Sequence, residues 1–293
     1  MSQTTAVPLS GILPRPVLRG RSVTRSETVL AWSVAAVAAV LLAAAVLFLT
    51  AGGKMFVVET PSMGEAAPVG TLVLDLPVDA ASLHVGDIVS YRVPANPDVT
   101  YTHRVIAVGP TGIHTRGDVN GAVDPWTLTQ ENLVGSPVLM VPHIGWLFRA
   151  APILLVGTLL ILVLTSPFAD RVTRGSLRIA GGALTAAYAA FVLKPFVAVT
   201  TITNTATPHQ VHATVISSGM FPVRIDAHGG SSVHLVSGQV GRVTIDQLSA
   251  NGHYDLTSSI DLDPAGWALL IGICLIPLVL CLAIGRVHPV RAS

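Results

Sequence analysis

Four long apolar stretches punctuate the chain, at residues 29–50, 146–165, 179–199 and 267–285. Wound as an α-helix, each is long enough to cross a hydrocarbon core of about 30 Å. The second opens on Trp146 and Phe148, placed like an aromatic belt at a membrane interface. The third is interrupted by Gly181, Gly182 and the Lys194-Pro195 pair. A charge near the bilayer centre costs about 3 kcal/mol or more, so Lys194 is expected to snorkel or to face protein.

Between these runs the pattern changes to short alternating segments bounded by Gly and Pro, the mark of strands and turns. Strands are predicted over 71–76, 87–92, 100–108 and 112–116, and in a later segment over 211–217, 223–227, 233–236 and 242–245. The first 27 residues mix Pro, Ser, Thr and Arg without apolar periodicity, and a disordered tail is expected there. The predicted architecture is an α+β membrane protein with about four transmembrane helices. It comprises a tail (1–27), an anchor (28–50), a β-rich domain (51–145) and a helix (146–165). A loop (166–178), a helix (179–199), a second small β-rich domain (200–266), a last helix (267–285) and a tail (286–293) follow.

Composition supports the bilayer reading: 51% of residues are hydrophobic and 11% charged, where a soluble domain carries about 25% charged residues. With a formal net charge of +1, the chain offers no field for nucleic acid, whereas membrane lipid is an expected partner. The positive charges sort by segment. Arg15, Arg19, Arg21 and Arg25 precede the first run; Arg171, Arg174 and Arg178 separate the second from the third; Arg286 and Arg291 follow the fourth. The positive-inside rule assigns all three segments to the cytoplasm, so 51–145 and 200–266 are expected on the extracytoplasmic face of a multi-pass cell-membrane protein.

The first run exceeds the 7–15-residue core of a cleavable signal peptide, so an uncleaved anchor is expected. The third run has a second reading. Its basic start, the short apolar stretch 179–186 and Ala187-Tyr188-Ala189 have the layout of a signal peptide. Apolar character resumes at Phe191 and Val197, which favours a small-residue transmembrane helix. The two cysteines, Cys274 and Cys281, stand about two turns apart on one predicted helix and cannot bridge. His209, His212, His228, His234 and His253 crowd the second β-rich segment. Without cysteine support they are expected to be solvated strand residues, so no metal or cofactor is predicted.

Three stretches of the first β-rich segment carry candidate chemistry: Thr60-Pro61-Ser62-Met63, Tyr101-Thr102-His103-Arg104-Val105, and the run from Thr115 through Gly117-Asp118, Asn120 and Asp124. A serine hydroxyl is a weak nucleophile at neutral pH and needs a base within about 3 Å, itself best held by a third group. Ser, His and Asp on separate segments supply that set, because such triads are defined by geometry and not by order along the chain.

Together with Gly86-Asp87-Ile88-Val89, these boxes resemble the signal peptidase I family in its archaeal and endoplasmic-reticulum branch. That branch has a Ser-Met box soon after an anchor, a Gly-Asp-Ile-Val strand, a His-Arg-Val box, then Gly-Asp with a following Asn and Asp. The resemblance covers about residues 30–145. It implies a membrane-bound serine endopeptidase that removes signal peptides from exported proteins, without a cofactor. Signal peptides of preproteins and the export machinery are then the expected partners. Carried over residue by residue, Ser62 is the nucleophile and His103 the general base. Asp124 is favoured to orient the base, with Asp118 as the alternative, and the Thr60 hydroxyl and the Ser62 N–H serve as oxyanion donors. The bacterial branch uses a lysine base, but Lys54 and Lys194 fit no such pattern. Val57, Val58, Met63, Leu72 and Leu74 are expected to line the substrate cleft, with pockets for small residues. Pro61 and Glu65 depart from the family box, where glycine and proline stand. These departures are the best support for the alternative, a catalytically inactive peptidase-like membrane assembly or surface protein.

Overall fold

The computed structural model describes residues 25–207, 210–246 and 255–287. Most of the expected N-terminal tail, His209 and His253 lie outside the described residues. Among these residues, four helices are long and apolar enough to cross a membrane. The first, α1 (Arg25–Thr50), forms a compact unit of its own as far as Phe48, and Leu49 onward forms a second.

The second unit opens with a six-stranded antiparallel sheet made of β1 (Lys54–Val57), β2 (Leu72–Leu76), β3 (Ile88–Val93), β4 (Asn96–Gly109), β5 (Gly112–Arg116) and β6 (Leu133–Val141). Its order is β1-β2-β6-β3-β4-β5. Alternation along β3 and β4 turns Val89, Tyr91, Val93 and Val105 into a core shared with Leu83, Ile113 and Leu128. β6 escaped the sequence reading because Gly135 and Pro137 interrupt it. Gly135 is required for close approach: a Cβ there would lie 2.4 Å from the Leu76 carbonyl oxygen. Pro137 faces Asp75 across a bulge in the β2 ladder, where proline's missing N–H is tolerated.

Asp75 is a buried carboxylate within this sheet, with no protein hydrogen bond to either oxygen. Burial pushes its pKa up from 3.8 to about 6, opposed by the nearby Ser90 hydroxyl. Ser90 Oγ also lies 2.7 Å from Thr102 Oγ1.

A tight turn leads from β6 into α2 (Gly145–Thr165), followed by α3 (Arg171–Leu193). The two pack through small residues: a Cβ on Gly157 would stand 2.2 Å from Thr185, and one on Gly181 would stand 2.8 Å from Ile161. The third long helix differs in extent from the expected 179–199. Asp170 caps the helix by accepting the Thr173 N–H at 2.6 Å, so helix begins at Arg171, inside the predicted 166–178 loop. Arg178, one of the basic residues in this polar start, donates to Thr165 Oγ1 at 3.0 Å. The helix stops before Lys194, which takes a left-handed conformation and donates its N–H to Ala190 O, and Pro195 cannot continue the helix. Lys194 therefore caps the helix instead of lying within it. Ala187-Tyr188-Ala189 is helical, with Ala189 buried, unlike the extended segment that a protease cleaves.

The chain then builds a β-sandwich from β7 (Val199–Ala206), β8 (Val211–Ser217), β9 (Val223–Ala227), β10 (Ser232–Leu235), β11 (Val240–Ile245) and β12 (Leu256–Ile260). Its sheets, β11-β8-β7 and β10-β9-β12, face each other across Val211, Ala213, Val215, Val223, Ile225, Val243 and Ile245. Strands β7 and β12 were not predicted; they are largely exposed and rich in Thr and Ser. Helix α4 (Pro264–Val287) closes the described chain and packs against α3.

Candidate active site

The segment after β1 is the short 3₁₀ turn Pro61–Ala66, entered from an extended Thr60. Pro61 presets the backbone angle of a helical first position, and Gly64, at φ 55° and ψ −133°, breaks the turn immediately after Met63. Ser62 is thus carried on a tight corner. Its carbonyl accepts the Val119 N–H at 3.0 Å, which ties the corner to the turn bearing Asp118 and Asn120.

His103 reaches this corner from the middle of β4, paired with Val89 of β3. Its side chain is nearly buried, and Nε2 lies 3.1 Å from Ser62 Oγ. On the other side, His103 Nδ1 lies 2.8 Å from Asp124 Oδ2. A carboxylate only accepts, so Nδ1 carries the proton and Nε2 presents its lone pair to the serine hydroxyl. Asp124 is fixed as well: its backbone N–H donates to Thr115 O at 3.0 Å, and Oδ2 accepts from Thr115 Oγ1 at 2.6 Å and from the Tyr91 hydroxyl at 2.9 Å. Trp126 Nε1 donates to the Tyr91 oxygen at 3.3 Å. Burial raises the Tyr91 pKa above its ordinary value, which keeps the phenol a neutral donor to the carboxylate.

Ser62, His103 and Asp124 therefore form a continuous hydrogen-bonded line. Asp118 lies elsewhere: both of its oxygens accept from Arg104, at 2.8 and 2.6 Å, and Arg104 also donates to Gly86 O at 2.8 Å. It braces the turn against β4 and is not bonded to His103. Thr60 Oγ1 lies 3.4 Å from Ser62 Oγ, beside the nucleophile candidate.

A cleft of about 160 Å³ opens over Ser62 and His103, between residues 58–63 and the β4 stretch 99–103. Of the residues proposed from sequence for a substrate cleft, Val58 and Met63 line it. Val57, Leu72 and Leu74 do not. Val57 packs towards the start of α2, where a Cβ on Gly145 would meet it at 2.5 Å. Strand β2, which carries Leu72 and Leu74, is paired on both edges, by β1 and β6, and has no edge left for a peptide. The sequence reading missed the aromatic wall: Tyr101, 37% exposed, stands with its ring 5.2 Å from that of His103 and 6.0 Å from that of Trp126. The alternation Tyr101-x-His103 put both rings on one face and was the available signal. Among the described residues no group of three or more metal-ligating side chains gathers. His212 instead pairs with Thr244, and His234 with Asp261.

Residues 29–123 match the family model described as signal peptidase, peptidase S26. No curated protein matches the chain. The matched segment runs from α1 through the Asp118 turn and stops one residue before Asp124. It covers Ser62 and His103, whereas β6, α2, α3, the sandwich and α4 lie outside it. This likeness supports a peptidase acting on proteins that bear signal peptides.

Proposed function

We propose that the protein is a membrane-bound serine endopeptidase of the archaeal and endoplasmic-reticulum type, which removes signal peptides on the extracytoplasmic side. The observation that carries this reading is the Ser62–His103–Asp124 line, with contacts of 3.1 and 2.8 Å. His103 Nε2 takes the Ser62 proton as Oγ attacks the scissile carbonyl, and the amide carbon becomes tetrahedral. Asp124 stabilises the imidazolium without taking its proton. The tetrahedral oxyanion is received by the Ser62 N–H and the Thr60 hydroxyl. His103 then gives its proton to the leaving amine, and water hydrolyses the acyl-enzyme with His103 again as base.

The substrate lies extended in the cleft, between the chain at 58–60 and the overhang of β4 at 99–102, where main-chain hydrogen bonds give affinity and Tyr101 limits side-chain size. Gly145, the first residue of α2, donates its N–H to Gly70 O at 2.9 Å, and Arg149 lies 3.6 Å from Glu59. These contacts tether the cleft to the outer end of a membrane span, where signal peptides leave the bilayer. Export machinery is the expected supplier of substrate.

The test is cleavage of a preprotein in detergent or proteoliposomes. Wild type is expected to release the mature protein, and Ser62→Ala and His103→Ala to be inactive while still inserting in the membrane. Normal turnover by His103→Ala would exclude this base.

A further inference from the structure

The corner that carries Ser62 is gripped on two sides. One grip comes from the peptidase sheet: Ser62 O accepts from Val119 N, and a Cβ on Gly64 would lie 2.8 Å from Val119 Cγ1. The other comes from the sandwich, which lies outside the segment that matches the peptidase family. Gly238, in the β10–β11 turn, is buried against the chain at Gly64 and Glu65. A Cβ placed on Gly238 would stand 2.5 Å from Gly64 O, 2.7 Å from Gly64 C and 2.9 Å from Glu65 Cα. The approach is reciprocal, since a Cβ on Gly64 would lie 3.3 Å from Gly238 O. All of these neighbours are backbone atoms and cannot swing aside as a side-chain tip can.

The turn is built to be stiff. Gln239 N donates to Val236 O at 3.0 Å, and the Gln239 side-chain oxygen accepts from Val236 N at 3.0 Å. Gly238 N donates to Ser217 O at 2.8 Å and Ser217 N to Gln239 O at 3.1 Å, which bolts the turn to the end of β8. Gly238 itself, at φ +80°, occupies the left-handed region. This turn meets the kinked one: Gly64 follows Ser62 by two residues and carries the kink that separates Ser62 from the rest of its 3₁₀ turn.

We infer that the Ser237-Gly238 turn of the sandwich is a positioning element for the Ser62 corner. It holds the Gly64 backbone against the Asp118–Asn120 turn so that Oγ stays within reach of His103 Nε2. The sandwich then acts as a built-in brace of the peptidase domain, and Gly238 is a positioning residue that touches neither substrate nor triad. This rests on the reading of Ser62 as nucleophile.

The test uses the full-length chain with Gly238→Asn. Asparagine tolerates left-handed φ, so the turn can still form. Its Cβ must still push on the Gly64 carbonyl. Turnover and the rate of Ser62 acylation are measured with a preprotein substrate, and resistance of the sandwich to proteolysis reports its folding. The expected result is a fall in kcat of about tenfold to 100-fold, the size seen for misplacements near 1 Å. KM should change less than kcat, because the β4 wall of the cleft at 99–103 is untouched and only the wall that carries Ser62 shifts. Wild-type kcat in a folded Gly238→Asn protein overturns the inference.

If the variant does not fold, hydrogen exchange on the wild type in rising urea supplies the second reading. Turnover must vanish when β10 and β11 open while β3 and β4 amides remain protected. Turnover that survives this opening overturns the inference equally. The two levels separate cleanly: a wild type that does not cleave sinks the peptidase reading, whereas active wild type, inactive Ser62→Ala and fully active Gly238→Asn sink the brace alone.

Discussion

Replacing Asp75 by Asn should stabilise the protein at neutral pH and do much less in acid. The carboxylate is inaccessible to solvent and without a protein hydrogen bond, and its pKa is raised from 3.8 to about 6. A raised carboxyl pKa means that the folded chain binds the proton more tightly than the unfolded chain. Stability from this group is therefore fully present below pH 3.8 and is lost as pH rises to about 6. Roughly two pKa units correspond to about 3 kcal/mol of destabilisation at pH 7.5 and about 1 kcal/mol at pH 4.5. Asn cannot ionise, so its advantage over Asp should be about 2 kcal/mol larger at pH 7.5 than at pH 4.5. The buried amide has polar atoms of its own to satisfy, which lowers the absolute gain at both pH values equally. Comparing the two pH values removes that common term. Unfolding of wild type and Asp75→Asn in detergent, by denaturant titration at both pH values, measures it. A stability difference independent of pH, or one larger in acid, would refute the argument.

Asp124→Asn should lower kcat by about 10³- to 10⁴-fold, because the amide favours the wrong tautomer of His103. Asp118→Asn should lose less than about tenfold, since it disturbs only the exposed Arg104 brace, and steady-state kinetics on the same preprotein separates the two. Gly70→Ala should destabilise by about 2–4 kcal/mol, from positive φ and overpacking. Its Cβ would fall 2.0 Å from Trp146 Nε1. Gly182→Ala, which meets nothing within 4 Å, is the matching control in the same thermal assay. In a chain with Cys274 and Cys281 replaced, cysteines at Glu131 and Ser232 should react with an impermeant maleimide from outside, and one at Phe168 should not. Labelling of Glu131 with protection of Ser232 would mean that α3 does not span.

The long apolar helices and the candidate site were legible in the sequence for different reasons. Long apolar helices leave long apolar runs, so three of the four were located closely, whereas α3 was displaced because its first turns are polar and its end is set by a left-handed Lys194. The candidate site was legible because Ser62, His103 and Asp124 lie in distinctive local boxes, whereas which aspartate stands against His103 needed coordinates. That choice depends on where a turn throws each side chain. Asp118 goes to Arg104 and Asp124 goes under Thr115 and Tyr91. Long-range pairing was not legible. Nothing local says that β2 is flanked by β1 and β6, and so Leu72 and Leu74 were assigned to a cleft they do not reach. The approach of Gly238 to Gly64 lies across 174 positions of sequence and has no local signature.

The central claim is that Ser62 forms a covalent acyl bond with the substrate, and rapid acid quench during preprotein turnover followed by peptide mass spectrometry tests it most directly. The account predicts an adduct on Ser62 equal in mass to the released N-terminal fragment less water, absent in Ser62→Ala and strongly reduced in His103→Ala. Sustained cleavage by Ser62→Ala, or an adduct on any other residue, would contradict it.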